Sequence, residues 1–133
     1  MMEGDRALAR ALLRLSLGIN LLMHGFVRLP KLGGFAQGMV RDFSATMLPA
    51  ALVHGFAAVL PFAELAIGAL LVVGLWQRAV LSAGIVMMIA LLIGTALLQR
   101  WDTLTQQMIY VLLYAALLAT RSWDQWSLDA RRR

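Results

Sequence analysis

The sequence predicts an all-helical integral membrane protein, namely a bundle of four spanning helices with one amphipathic segment at the membrane interface. The first observation is composition: of the 133 residues, 61% are hydrophobic and 14% are charged, whereas soluble domains are about 45–50% apolar and about 25% charged. The second is the presence of apolar stretches long enough to cross ~30 Å of hydrocarbon. The third is that the tryptophans fall at predicted helix ends, as aromatic anchors do: Trp76, Trp101, Trp123 and Trp126.

One membrane domain is expected to cover residues 1–133, with helices at roughly 8–29, 50–75, 79–98 and 103–120 and a polar tail at 121–133. Pro30 should end the first helix, because proline has no N–H to donate. Between Pro30 and Pro49, apolar residues recur at near-helical spacing opposite Gln37 and Arg41. This pattern is typical of a short helix lying in the interface over a pocket, although a simple spacer would show it as well.

The third helix is expected to be scaffold. Its small and apolar residues repeat along one face and predict a packing seam, at Gly84, Met88, Leu91 and Thr95.

Composition also excludes some functions. The chain contains no cysteine, so its own residues cannot catalyse thiol chemistry or ligate an iron–sulfur cluster through Cys. The net charge is +5, but the basic residues lie at helix ends and in the tail, where topology and anionic lipid account for them. Nucleic-acid binding is therefore not expected, and the partners predicted are the lipid bilayer, redox proteins or further copies of the chain.

Glu64 lies near the middle of the apolar run from Ala50 to Trp76. A carboxylate at that depth costs ~2.5–3.5 kcal/mol on insertion scales, so it should face protein or water. At 100° per residue it shares a face with His54, Pro61 and Gly68. Two roles stay open: a ligand-binding or proton-transferring group, and a structural hydrogen-bonding group.

Polar residues also follow one face of the first helix, at Ser16, Asn20, His24 and Arg28. Arg10 and Arg14, near its start, are expected to extend toward lipid headgroups. A comparable polar face on the fourth helix carries Gln107, Tyr110 and Tyr114.

These faces converge on a predicted cavity that is open to the outer side and floored by Glu64. It would suit a small amphipathic molecule with carbonyl oxygens, such as a quinone, because His or Tyr can donate to a carbonyl and a buried carboxyl can pass a proton. His24 and Glu64 are the candidate catalytic residues. The expected lining is Asn20, His24, Arg28, His54, Glu64, Gln107, Tyr110 and Tyr114. Bis-histidine haem ligation is disfavoured because haem-specific features are few, and no metal site is predicted.

Two motifs resemble those of the DoxX family. The first is Arg14-Leu15-Ser16-Leu17-Gly18 followed by His24-Gly25-Phe26-Val27-Arg28, and the second runs from Glu64 to Leu75 and ends in Arg78-Ala79. The resemblance implies a four-helix membrane protein linked to redox partners, since relatives are described as subunits of thiosulfate:quinone oxidoreductase. The predicted function is thus a quinone-linked redox subunit; the alternative is a non-catalytic membrane anchor or assembly partner of a redox or stress-response complex.

We predict a bacterial inner-membrane protein with both termini in the cytoplasm, because cytoplasmic loops are rich in Lys and Arg. With that orientation eight basic residues lie inside and four, Arg28, Lys31, Arg41 and Arg100, lie outside. A reporter fused after Arg133 should score as cytoplasmic. A periplasmic score would contradict this orientation.

Overall fold

The computed structural model describes residues 2–132, which form helices joined by turns and short irregular segments and contain no strand. The helices are α1 (Met2–Arg28), α2 (Leu32–Asp42), α3 (Ala50–Val73), α4 (Gln77–Leu97), α5 (Trp101–Ala119) and α6 (Leu128–Arg131). Short 3-10 turns occupy Leu29–Lys31 and Arg121–Trp123. The all-helical prediction is therefore confirmed, and the first α-helix ends just before Pro30 as expected, although it begins earlier than predicted.

Three helical stretches in the described part of the chain are long and apolar enough to cross a membrane: Met2–Asp42, Ala50–Val73 and Gln77–Leu97. Helix α5 is not one of them. Its first two turns carry Asp102, Gln106 and Gln107, which lower its mean hydropathy.

Helices α1 and α3 form the most extensive interface in the bundle. Glycines bring the two backbones together: a Cβ on Gly25 would lie 2.5 Å from the Pro61 carbonyl oxygen, and one on Gly68 would lie 2.8 Å from that of Gly18. Small residues permit such close approach between membrane helices. Helix α4 then packs on α3 and α5, burying the predicted seam residues Gly84, Met88 and Thr95.

The start of α1, the α3–α4 turn and the C-terminal tail meet at one end of the bundle, which we call the basal end. Helix α3 ends at Gly74, whose φ of 70° suits glycine. The Asp129 carboxylate accepts hydrogen bonds from the backbone N–H groups of Trp76 (2.8 Å) and Gln77 (2.7 Å), so it caps α4. The tail is thereby held against the turn.

Helix α2 covers the opposite, distal end, packed on α3. The Phe43 ring, just after α2, packs on Gly94 of α4. An exposed ion pair joins Asp42 to Arg100 at 3.1 Å. These contacts hold α2 and its following turn against the ends of α3, α4 and α5.

The prediction that Arg10 and Arg14 extend toward headgroups was wrong, since each is 3% exposed. Arg10 donates to the Gln77 side chain (2.8 Å) and pairs with Asp124 (3.1 Å). Arg14 donates to the carbonyls of Leu71, Val72 and Trp126. The tail folds back under the bundle and supplies acceptors that the sequence pattern alone did not reveal.

We expect Gly68→Ala to destabilise the protein by about 1–3 kcal/mol, because a methyl group there would be forced into the α1 backbone. Gly55→Ala, on the same helix with no atom within 4 Å of its added Cβ, should instead stabilise by up to about 1 kcal/mol. Thermal unfolding in detergent would measure both. Equal effects of the two substitutions would contradict close packing at Gly68.

Candidate intramembrane binding site

Glu64 is buried at the α1–α3 interface with 3% exposure. Its Oε1 atom pairs with Nη1 of Arg28 at 2.5 Å. Glu64 thus faces protein, as its position in the apolar run predicts, and its counter-ion is Arg28 of α1. Among residues 2–132, the second carboxylate oxygen, Oε2, is buried without a hydrogen-bond partner.

Arg28 reaches Glu64 because α1 and α3 run antiparallel with Gly25 seated between Pro61 and Leu65. The end of α1 is thereby brought beside the middle of α3. The guanidinium also lies over the Phe35 ring of α2, 4.9 Å from its centroid, in a cation–π contact. One cation therefore connects α1, α2 and α3.

A cavity of about 240 Å³ opens beside this ion pair. Six of the eight residues predicted to line a site border it: Asn20, His24, Arg28, Glu64, Gln107 and Tyr110. Apolar walls come from α2, α3 and α4, at Phe35, Met39, Leu60, Met87, Met88 and Leu91. We call this space the distal cavity.

A larger and more apolar cavity of about 580 Å³ adjoins it beneath α2. The two share Arg28, Phe35, Met39, Leu91, Thr103 and Gln107 as lining residues. Gln107 donates from its Nε2 to the Thr95 hydroxyl at 2.8 Å. Its Oε1 atom is buried and, within the described chain, has no partner.

The distal cavity faces the gap between α1 and α5, which contact each other far less than α1 contacts α3. Across this gap the Tyr110 hydroxyl donates to Asn20 Oδ1 at 3.2 Å. One ring nitrogen of His24, Nδ1, lies 2.8 Å from the Asn20 carbonyl oxygen. Asn20 and His24 are exposed, so polar groups line an opening on the side of the bundle.

Two predicted lining residues lie elsewhere. His54 is exposed near the start of α3 and outside the cavity, because it lies at the edge of the face that holds Pro61 and Glu64, and Val53 is the buried residue of that turn. Tyr114 is fully buried, with its ring against Gly84. Within residues 2–132 its hydroxyl has no partner, and the ring does not border the cavity.

The sequence interpretation missed a polar network at the basal end. Gln77, 2% exposed, accepts from Arg10 and donates to Asp124 (2.5 Å) and to the Ser127 hydroxyl (2.9 Å). Ser127 in turn donates to Asp124 and caps α6 by accepting from the Ala130 N–H. One sequence signal existed, since Ser127 followed by Asp129 indicates a helix start. Nothing in the local pattern, however, brings that start beneath the bundle.

The described residues contain no cluster of three or more His, Asp or Glu side chains placed to hold a metal ion. The arrangement is instead one of hydrogen-bonding groups: a guanidinium, a half-paired carboxylate, an amide, an imidazole and a phenol around a partly apolar space. Such a site can bind and orient a small molecule that presents both donors and acceptors.

Fold and cavity together define a helical membrane protein with a polar cavity enclosed among its helices. The model of one family, described as methylamine utilisation protein MauE, matches residues 6–107, about three quarters of the chain. The chain belongs to this family. No curated protein and no solved structure matches it.

This finding overturns the resemblance to DoxX, since the matching family is MauE. The residues that suggested DoxX have structural roles here. Arg14 binds backbone carbonyls, Gly18 and Gly68 allow the close contact of α1 and α3, and Arg28 pairs with Glu64. Two apolar helices that pack together at glycines and share an ion pair can show such a pattern even when the proteins belong to different families.

We expect Arg28→Gln to lower stability by up to about 3 kcal/mol, because it leaves the Glu64 carboxylate buried without a counter-ion. This loss of stability lies at the low end of the range for buried ion pairs, because the Arg28 side chain is 31% exposed. Combining it with Glu64→Gln should recover part of the loss, since neither charge then remains. Thermal unfolding of the two single variants and the double variant would measure the coupling.

Arg100→Gln is the matched control, because it breaks an exposed pair whose side chains are 54% and 47% accessible. It should cost no more than about 1 kcal/mol. If Arg28→Gln were equally mild, or if its effect and that of Glu64→Gln simply added, the pair would not be a buried coupled one.

Proposed function

We propose that this protein is a membrane component of a redox system and that its distal cavity binds the head group of a quinone or quinol. The observation that carries the proposal is the pair of unpartnered buried acceptors, Glu64 Oε2 and Gln107 Oε1, beside a cavity that also offers donors. A buried acceptor without a partner costs about 1–3 kcal/mol. A ligand with O–H groups would remove that cost.

The two redox forms of a quinone need opposite partners, and the cavity has both. A quinol donates its hydroxyls, for which Glu64 and Gln107 supply free oxygens. A quinone accepts at its carbonyls, for which the Arg28 guanidinium can donate, since the Tyr110 hydroxyl and the His24 ring N–H already face acceptors of Asn20. Glu64 would accept the proton that leaves the quinol hydroxyl, while Arg28 stabilises the carboxylate beforehand.

Two further features suit such a ligand. The gap between α1 and α5 gives a lateral route from the bilayer, where quinones dissolve. The adjoining apolar cavity beneath α2 has room for part of an isoprenoid chain. The family's description names methylamine utilisation, which is redox-linked. A membrane protein serving such a process could bind the lipid-soluble electron carrier.

The proposal includes a topology in which α5 is the fourth span. Arg10 of α1 pairs with Asp124 just beyond α5, so the chain returns to the end where it began. Helix α2, covering the distal end, would then lie at the outer interface of a bacterial inner membrane. Both termini would be cytoplasmic.

A second candidate function, assembly with another membrane protein, is favoured by the exposed polar stripe of α1. Ser16, Asn20 and His24 are exposed along the same helix. Polar side chains facing lipid are costly, so a partner helix or a second copy of the chain could cover them. In that case the cavity would be closed by protein rather than entered from the bilayer.

To test the ligand, the purified protein would be extracted and analysed for bound quinone by mass spectrometry. It would also be titrated with a short-chain benzoquinol in detergent. We expect Glu64→Gln to weaken quinol binding by about tenfold or more, because it removes the charge-assisted acceptor. The fold should survive, which circular dichroism would check.

Thr105→Ala serves as the control, since its hydroxyl bonds only to the Trp101 carbonyl within its own helix and Thr105 lies outside the cavity. It should bind the quinol as the wild type does. Full quinol affinity in the Glu64→Gln variant, or absence of binding to the wild type, would refute the quinone proposal. Stable higher oligomers without any bound quinone would favour the assembly function.

A further inference from the structure

A third open space, a groove of about 980 Å³, lies outside the bundle between α3 and α4 at the basal end. Its walls and floor are apolar and mostly small, at Ala66, Ile67, Leu70, Ala79, Val80 and Ala83. Where the groove reaches the end of the bundle, Trp76, Arg78 and Arg121 border it. The groove is thus apolar along the helices and basic at its end.

The two arginines of this groove have no anionic partner within the described part of the chain. Among residues 2–132, neither Arg78 nor Arg121 forms an ion pair or a side-chain hydrogen bond, unlike Arg10, Arg14 and Arg28. Asp129 borders the same space, but its carboxylate is bound to the backbone N–H groups that begin α4. The two arginines and this one carboxylate leave the end of the groove with a net positive charge.

We propose that this groove is a binding site for an anionic phospholipid, whose phosphate lies between Arg78 and Arg121 and whose acyl chain lies along Ala66, Ala79 and Ala83. Charge complementarity identifies the occupant: basic pockets between membrane helices bind acidic headgroups. The Trp76 side chain is 61% exposed at the same height, where tryptophan is enriched at the level of the headgroups. The small side chains leave a channel wide enough for an acyl chain but not for another helix.

The site is separate from the distal cavity. It borders the α3–α4 turn and the tail, whereas the distal cavity lies beside Glu64 and α2. An anionic lipid bound there would contact α3, α4 and the segment after α5 together. It should therefore stabilise the basal end without any requirement for quinone.

The test uses full-length protein in a neutral detergent, titrated with phosphatidylglycerol while thermal unfolding and native mass spectra are recorded. We expect phosphatidylglycerol to raise the Tm and to remain bound in the mass spectrum, and phosphatidylcholine to do neither. The double variant Arg78→Gln/Arg121→Gln should bind phosphatidylglycerol roughly 30-fold more weakly, since each arginine near the membrane surface contributes about fivefold.

The matched control is Arg131→Gln/Arg132→Gln, which removes the same charge from exposed positions of the tail outside the groove. It should leave the affinity within about twofold of the wild type. Equal weakening in both double variants would mean diffuse electrostatic attraction and would overturn the site.

A second variant tests the apolar part. Ala83→Phe should block the acyl channel and reduce phosphatidylglycerol binding, while binding of the water-soluble headgroup, glycerol 3-phosphate, stays unchanged. Inorganic phosphate should not compete with the lipid at millimolar concentration. If phosphate raised the Tm as much as the lipid, or if Ala83→Phe bound the lipid normally, the groove would be a phosphate site or no site, and the proposal would be wrong.

Discussion

The close contact between α1 and α3 is the constraint on which the site depends. Gly18, Gly25 and Gly68 let the two backbones approach so nearly that a single added methyl group would strike a main-chain atom. In a bilayer, association of helices relies on such packing and on polar contacts across it. The approach has a second effect: it brings Arg28, the last residue of α1, beside Glu64 in the middle of α3. The ion pair therefore depends on the close packing of the two helices.

The chain buries two arginines, Arg10 and Arg14, and partly buries a third, Arg28, and the three have different kinds of partner. Arg28 has a carboxylate, Arg10 has a carboxylate and an amide, and Arg14 has backbone carbonyls at the end of α3 and in the tail. Buried charges without partners are strongly unfavourable. At the basal end the folded-back tail supplies partners for these polar groups. The Gln77 side-chain amide, for example, donates to Asp124 and Ser127 of the tail. At the distal end, among residues 2–132, one oxygen of Glu64 has no partner and Glu64 borders a cavity; the cavity is what separates a site able to take a ligand from a structural network.

Helix positions and the orientation of Glu64 were predictable, because hydrophobic length and the cost of a membrane carboxylate act locally. Besides Glu64, five residues that border the cavity could be found from local spacing. Asn20, His24 and Arg28 repeat every fourth residue of one helix, and Gln107 and Tyr110 share a face of another. The prediction that His54 lines the cavity was wrong, because the angular position of a residue on its helix does not show where the neighbouring helix ends. The basal network escaped prediction because Asp124 and Ser127 are distant in sequence from Arg10 and Gln77.

The family assignment also shows the limit of motif reading in membrane helices. In this chain the glycines of the motif permit the close packing of α1 on α3, and its basic residue, Arg28, forms the ion pair at that contact. Unrelated proteins whose helices pack in the same way would show similar spacing. The motif is therefore evidence for the packing of α1 on α3 rather than for common ancestry. The same contact also positions the site: α2 covers the distal end with Phe35 over the Arg28 guanidinium, and the buried Glu64 borders the distal cavity together with Asn20 of α1 and Tyr110 of α5.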